Sequence, residues 1–238
     1  MKILAVTSRF PYPIERGDKL RAHYQLRELA RHHEVVLVAL SEGEVDRSAR
    51  AVIDEMGIRS HVVSRSRIST VMSTGAGLVT GRPLQVGYFS APGTRREVHR
   101  IIEREQPDHL YCQLLRTAWA VDGLSLDATI DYQDAFAAAM RRRANQHGAA
   151  LRRVFEFEAD RIGAAEAEAF EAFSRRVVIS EQDRDCLRSP TRWAWRSSPT
   201  EWTPPCSRGG IRMLGPTWTW PSWATWATRP TCVPLTCW

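Results

Sequence analysis

The 238 residues carry 33 Lys and Arg against 27 Asp and Glu, with 43% hydrophobic and 25% charged residues, a balance that excludes a wholly disordered chain and suits a globular one. The surplus charge is uneven: 189–238 holds five Arg and a single Glu, which leaves 28 basic against 26 acidic residues in 1–188. A nearly neutral body removes the usual argument for a nucleic-acid partner, and none is expected. No positively charged apolar leader opens the chain, and no apolar stretch of about 18 residues could span a bilayer, so a cytoplasmic location is expected. Cys112 and Cys186 stand apart without CxxC spacing and read as structural thiols, and no metal site is expected.

In chain order, the apolar run 3–6 predicts a strand, followed by a proline-bearing loop closed by Gly17 and Asp18 and a helix over 19–32. The sequence EVVLVAL at 34–40 is nearly all β-branched or aliphatic, as in a central parallel strand buried on both faces. A helix over 46–56 stopped by Gly57, and a third strand at 61–63, complete a strand–helix alternation that implies a parallel sheet. A helix is expected over 67–80. Another is expected over 92–106, with Ser90 as its cap and Pro92 in its first turn. Strands at 108–113, 128–132 and 176–179 then alternate with helices at 114–121, 134–146, 149–173 and 181–187. In the 149–173 helix, Val154, Phe157, the Arg161 stem, Ala165 and Phe170 share roughly one face. The expected fold class is α/β: a Rossmann-like parallel sheet flanked by helices over 1–188, followed by a disordered Trp/Pro-rich tail at 189–238.

That tail has a different composition from the body. It holds eight of nine Trp, eight of thirteen Pro and three of five Cys, and no Phe, Tyr, Asn, Asp, Gln, His or Lys. Trp has one codon, and 31 Arg against two Lys imply a GC-rich gene, so the neighbouring reading frame can be partly rebuilt. That frame permits GVAVVPNGVDTALF from 193 onward and VDVAFVGNMGY from 217 onward, each with strand and turn in native order. The expectation is a frameshift near 189–192. In either reading Pro and Thr without periodicity cannot build a core.

The opening strand, the SRFPYPIERGDKLRAH loop-to-helix, the RHHEVVLVAL and PDHLYCQ strands, the DYQD segment and VVISEQD together resemble the N-terminal domain of family 4 glycosyltransferases of GT-B fold. The resemblance is nearest to the sugar transferases found beside bacterial exopolysaccharide and exosortase (PEP-CTERM) genes, and it covers 1–188. It implies retaining transfer of a hexosyl unit from a nucleotide sugar to a glycan or lipid-linked acceptor in cell-envelope synthesis. It also implies no cofactor and no metal, and a second, donor-binding domain that this chain lacks, so the chain is expected to be inactive as written. The alternative is a non-enzymatic nucleic-acid-binding protein using the basic Trp-rich tail. A dinucleotide enzyme is disfavoured because no GxGxxG follows any strand.

Under that resemblance the loop bearing Arg9, Arg16, Gly17 and Asp18 reaches toward donor diphosphate or acceptor, where the free N–H groups of a helix start attract phosphate. The family often carries a glycine pair there; this chain has Gly-Asp, and Asp18 as a simple helix cap is the plainer reading. Gln113 and Arg116 follow a strand end, where ligands bind in open parallel sheets. The histidine many members have near that place is absent, and His109, within the strand, reads as structural. Asp131 and Asp134 could accept hydrogen bonds from acceptor hydroxyls, with Asp131 as a candidate catalytic base and Asp134 also a candidate helix cap. Capping explains Ser180 and Glu181. The run Arg141-Arg142-Arg143 reads as a solvated helix face, with peripheral attraction to the inner membrane surface or a lipid phosphate as the alternative.

Overall fold

The computed structural model describes residues 1–41, 43–64 and 81–188, and the backbone of 212–214. The helix expected over 67–80 and nearly all of the tail lie outside the described residues. Six parallel strands form the sheet: β1 (Lys2–Thr7), β2 (Glu34–Ser41), β3 (Arg59–Ser64), β4 (His109–Gln113), β5 (Ala128–Gln133) and β6 (Arg175–Val178). A short β7 (Arg212–Leu214) pairs antiparallel with β6, giving the order β3-β2-β1-β4-β5-β6-β7. These three residues depart from the expectation of a tail without regular structure.

The apolar runs are strands because both faces of the sheet are covered. Residues 35–40 of β2 and 3–6 of β1 are all buried, alternately facing two cores. On one face α1 (Gly17–Ala30) and α2 (Arg47–Asp54) bury Leu26, Ala49 and Ile53 against Ile3, Ala5, Val35, Leu37 and Tyr111. On the other, α3 (Leu84–Phe89), α4 (Pro92–Glu105), a 3-10 helix (Leu115–Val121), α5 (Phe136–Ala144), α6 (Ala149–Ala172) and α7 (Glu181–Arg188) pack on Leu4, Val6, Val36, Leu110 and Ile130. Gly57, at φ +74°, supplies the left-handed turn that ends the α2 region, as its position predicts.

Several expected boundaries move. Ser90 does not cap α4: it closes α3, which the sequence pattern did not disclose, and Ala91 is the N-cap with Pro92 at the first helical position. The strand expected at 61–63 begins at Arg59, and the helix expected over 134–146 spans only Phe136–Ala144.

The amino edge of the sheet is fastened by Glu105, whose carboxylate is 5% exposed. Lys2 Nζ donates to it at 2.8 Å, His61 Nε2 lies 3.1 Å away and Arg59 3.3 Å away, so α4 is tied to β1 and β3. The Lys2 hydrogen bond, reinforced by His61 and Arg59, holds the Glu105 carboxyl below its ordinary value against the opposing effect of burial. A depressed folded-state pKa gives stability that is present above the ordinary value of 4.5 and lost as pH falls through the folded value. Glu105→Gln is therefore expected to lower stability near neutral pH by about 1–3 kcal/mol. In urea unfolding at a series of pH values, its deficit should shrink below pH 4.5; a deficit independent of pH would show that the charge contributes nothing.

Candidate functional site at the carboxyl edge of the sheet

The strand order reverses between β1 and β4, and in open parallel sheets ligands bind outside the carboxyl ends at such a point. On the α1 side of this edge, Arg9 Nη1 meets Asp18 Oδ2 at 2.5 Å, and Gln113 Nε2 donates to the Asp18 carbonyl at 2.7 Å. One turn further, Arg21 grips Asp131 with two hydrogen bonds, Nε to Oδ2 at 2.7 Å and Nη2 to Oδ1 at 3.1 Å. Gln25 Nε2 (2.8 Å) and the Tyr111 hydroxyl (2.9 Å) also donate to Oδ2, and the Gln133 amide donates to Oδ1 at 3.1 Å. Burial opposes the Arg21 charge, yet Asp131 outweighs it and holds the guanidinium pKa above its ordinary value. Burial, and then Asp131, push the Tyr111 phenol well up.

The structure thus brings Arg9, Gly17, Asp18, Gln113 and Asp131 together around the start of α1. It also changes the parts two of them play. Asp131 has no exposed surface and accepts five hydrogen bonds, which tie α1 to the ends of β4 and β5. Asp18 is the second residue of α1, not its cap: Arg16, in extended conformation, is the N-cap and makes no side-chain capping bond. Gly17 is exposed at φ below the left-handed range, and a Cβ there would meet nothing, so neither backbone strain nor close packing demands glycine. Gln113 is 2% exposed and acts on Asp18 rather than on solvent.

Arg116 and Asp134 lie on the opposite side of the same edge. They line a cavity of about 190 Å³ with Gln133, Tyr132, Phe136 and Glu166. The chain enters this cavity wall through two positive-φ residues: Leu114 at φ 69° after β4, and Gln133 at φ 63° after β5, where the register with β6 shifts. Non-glycine residues held there cost about 1–3 kcal/mol each, and such strain clusters at ligand sites. The surrounding bonds fix them: Leu114 N–H donates to the Asp131 carbonyl at 2.7 Å, and Ile179 N–H to the Gln133 carbonyl at 3.1 Å. The Arg116 guanidinium sits 5.3 Å from the Phe89 ring centroid.

Asp134 does not cap α5, whose N-cap is Ala135. The cap comes from α6: Glu166 Oε1 accepts the amides of Phe136 at 2.6 Å and Ala137 at 3.2 Å, while Asp183 accepts that of Ala135 at 3.2 Å. Burial pushes the Glu166 carboxyl up to about 7, the two amides pulling it down and Asp134 raising it further. Desolvation, followed by the facing Asp183 carboxylate, raises Asp134 as well, though its side chain reaches solvent. A cation, a solvent-facing carboxylate and a carboxyl near neutrality around one small cavity supply donors and acceptors suited to a polyhydroxylated ligand. Glu166, Arg21, Gln25 and Tyr111 were absent from the sequence candidates. Arg21 and Gln25 at i, i+4 on the first helix were the available signal.

The remaining candidates are structural. Ser180 caps α7 by accepting the Asp183 amide at 3.1 Å, as expected. His109 is buried with Nε2 at 2.9 Å from Thr129 Oγ1, away from the carboxyl edge. Cys112 is fully buried and burial pushes its thiol far up, leaving it unreactive. Among the described residues no group of three or more His, Cys, Asp or Glu is placed to hold a metal ion, and no helix is long and apolar enough to cross a membrane.

Comparison with described protein families finds no match, and neither does comparison with curated protein sequences. Comparison with solved structures finds glycosyltransferases. A UDP-glucosyltransferase from Polygonum tinctorium capable of glucosylating indoxyl is 13% identical with a TM-score of 0.42, over 83% of this chain and 50% of that one. The spinosyn rhamnosyltransferase SpnG, complexed with thymidine diphosphate, is 20% identical with a TM-score of 0.35, over 55% of this chain and 34% of that one. The chain spans between a third and a half of the length of these proteins, and overlap this loose carries no argument about its function.

Proposed function

We propose that residues 1–188 are the acceptor-side half of a retaining family 4 glycosyltransferase of GT-B fold, akin to the sugar transferases of exopolysaccharide synthesis. The observation that carries the reading is the cavity between the strained exits of β4 and β5, beside the strand-order reversal, with Arg116, Asp134 and Glu166 around it. In this reading Asp134 and Arg116 bind hydroxyls of a glycan or lipid-linked acceptor. Arg9, Gly17 and Asp18 face the diphosphate of a nucleotide-sugar donor, and Gln113 and Asp131 hold both groups in place. The donor is a substrate, and no cofactor or metal is required. The ordered series of family-like segments in the sequence supports this reading. A frame change near 189–192 accounts for the change in composition there, and the reading places the protein in the cytoplasm.

Titration of the full chain with neutral oligosaccharides, followed by amide NMR, is expected to shift residues 114–116 and 133–134. Arg116→Ala and Asp134→Asn should each weaken that binding by about tenfold, the loss of a charge-assisted hydrogen bond. Restoring the reading frame should yield transfer from labelled nucleotide sugars. If the restored protein bound no nucleotide sugar and oligosaccharides left the cavity amides unmoved, the reading would fail.

A further inference from the structure

The cavity at the exits of β4 and β5 has an unsatisfied donor in its wall. Gln133 lines it, and the side-chain Nε2 of this residue is buried with no hydrogen-bond partner among the described residues. A buried donor without an acceptor destabilises a fold, and a left-handed backbone adds strain at the same residue, whose φ is 63°. Both backbone groups of Gln133 are engaged, the amide with Asp131 Oδ1 at 3.1 Å and the carbonyl with Ile179 N–H at 3.1 Å, so the residue is fixed where it meets the cavity. Among the described residues no hydrogen bond holds Nε2, so turning the side-chain amide into the cavity sacrifices none at that nitrogen.

The rest of the wall discriminates among ligands. Its charged groups are one cation, Arg116, and the carboxyls of Asp134 and Glu166, so nothing there favours an anionic ligand. Asp134 is exposed and can accept a hydrogen bond, whereas Glu166 Oε1 is already taken by the amides of Phe136 and Ala137. Beside these polar groups Leu114, Phe136 and Ile162 supply apolar surface. A ligand of hydroxyls alone would leave that surface uncovered, and it needs no dedicated donor, because each hydroxyl both donates and accepts. A secondary amide bearing a methyl group matches all three features. Its carbonyl accepts from Gln133, its N–H donates to the Asp134 carboxylate, and its methyl covers the apolar wall. On a sugar this group is an acetamido substituent.

We infer that the cavity selects an N-acetylated sugar, and that Gln133 determines this specificity by donating from Nε2 to the acetamido carbonyl. The inference rests on the reading of the cavity as a glycan acceptor site, and it adds the class of sugar that the site takes.

The test compares two neutral disaccharides of the same linkage, N,N′-diacetylchitobiose and cellobiose, which differ only in acetamido groups replacing hydroxyls. Each is titrated into the full chain and followed by NMR of the backbone amides and of the side-chain NH2 groups. The acetylated ligand should bind about tenfold more tightly, the contribution of a hydrogen bond that satisfies a buried donor. It should also shift the Gln133 NH2 signals, which cellobiose leaves in place. Gln133→Glu presents an acceptor where the donor stood, and Gln133→Gly removes the side chain and the backbone strain together. In both variants the two disaccharides should bind with equal affinity. Equal affinities in the wild type, with both ligands shifting 114–116 and 133–134, would overturn the inference and leave the acceptor-site reading standing. A preference for the acetylated ligand that survived both substitutions would also overturn it, because Gln133 would not be its source. Binding of neither disaccharide would overturn the inference and the acceptor-site reading together.

Discussion

Asp131→Ala is expected to destabilise the protein by about 3–5 kcal/mol, the cost of removing one partner from a buried, doubly hydrogen-bonded ion pair. Arg21 keeps a side chain only 15% exposed, and would be left charged with no acceptor, together with the Gln25 amide, while the Tyr111 hydroxyl keeps Gln25 Oε1 at 2.8 Å. The loss should appear in urea unfolding as a lower midpoint with an unchanged slope. Arg21→Met alone should also destabilise, since it strands the carboxylate. The double variant Arg21→Met/Asp131→Leu should cost clearly less than the sum of the single changes, because the desolvated charges vanish together. Functionally, the same carboxylate holds the Gln133 amide and the Asp131 carbonyl receives Leu114 N–H, so the substitution should loosen both strained exits that wall the cavity. If Asp131→Ala left the unfolding midpoint unchanged but abolished oligosaccharide binding, Asp131 would be a substrate contact and not a positioning residue.

That pair also shows what the sequence could disclose. The six parallel strands were legible because a sheet covered on both faces needs unbroken apolar runs, and LAV in β1 and VVLVAL in β2 supply them. Asp131 was legible as a polar residue breaking such a run at a strand end. Its meaning was not, because whether a strand-end carboxylate meets substrate or a helix depends on the side chains across the sheet, here Arg21, 110 residues earlier. The same reason hid the cap of α5. Local pattern made Asp134 the natural choice, just before the helix, but a carboxylate from α6, 30 residues on, reached the free amides first. Helix periodicity likewise placed Val154 and Phe157 on one face with Ala165, but it reports which residues share a face and not whether anything lies opposite that face, and both are exposed.

Glu166 is the residue from which the largest pH effect is expected. Its folded-state value of about 7 lies above the ordinary 4.5, so between these values the folded protein binds more protons than the unfolded chain. Stability from this group is therefore greatest at the acid end and falls as pH rises through that window. The loss is complete above pH 7 and amounts to about 3 kcal/mol. Glu166→Gln keeps a carbonyl oxygen for the Phe136 and Ala137 amides and has no charge to bury. It is expected to remove the downward slope between pH 4.5 and 7 and to exceed the wild type near pH 8 by about 1–3 kcal/mol. Glu166→Ala should instead destabilise at every pH by about 2–4 kcal/mol, because it orphans two buried amides and opens a void beside Ile162. Urea midpoints at a series of pH values separate the two substitutions. If Glu166→Gln followed the wild-type pH profile without offset, the carboxyl would titrate at its ordinary value and α5 would owe its start to geometry alone. If instead the slope disappears with the charge, the cavity wall contains a proton site that titrates near neutrality beside Asp134, and ligand binding there should change with pH over the same window.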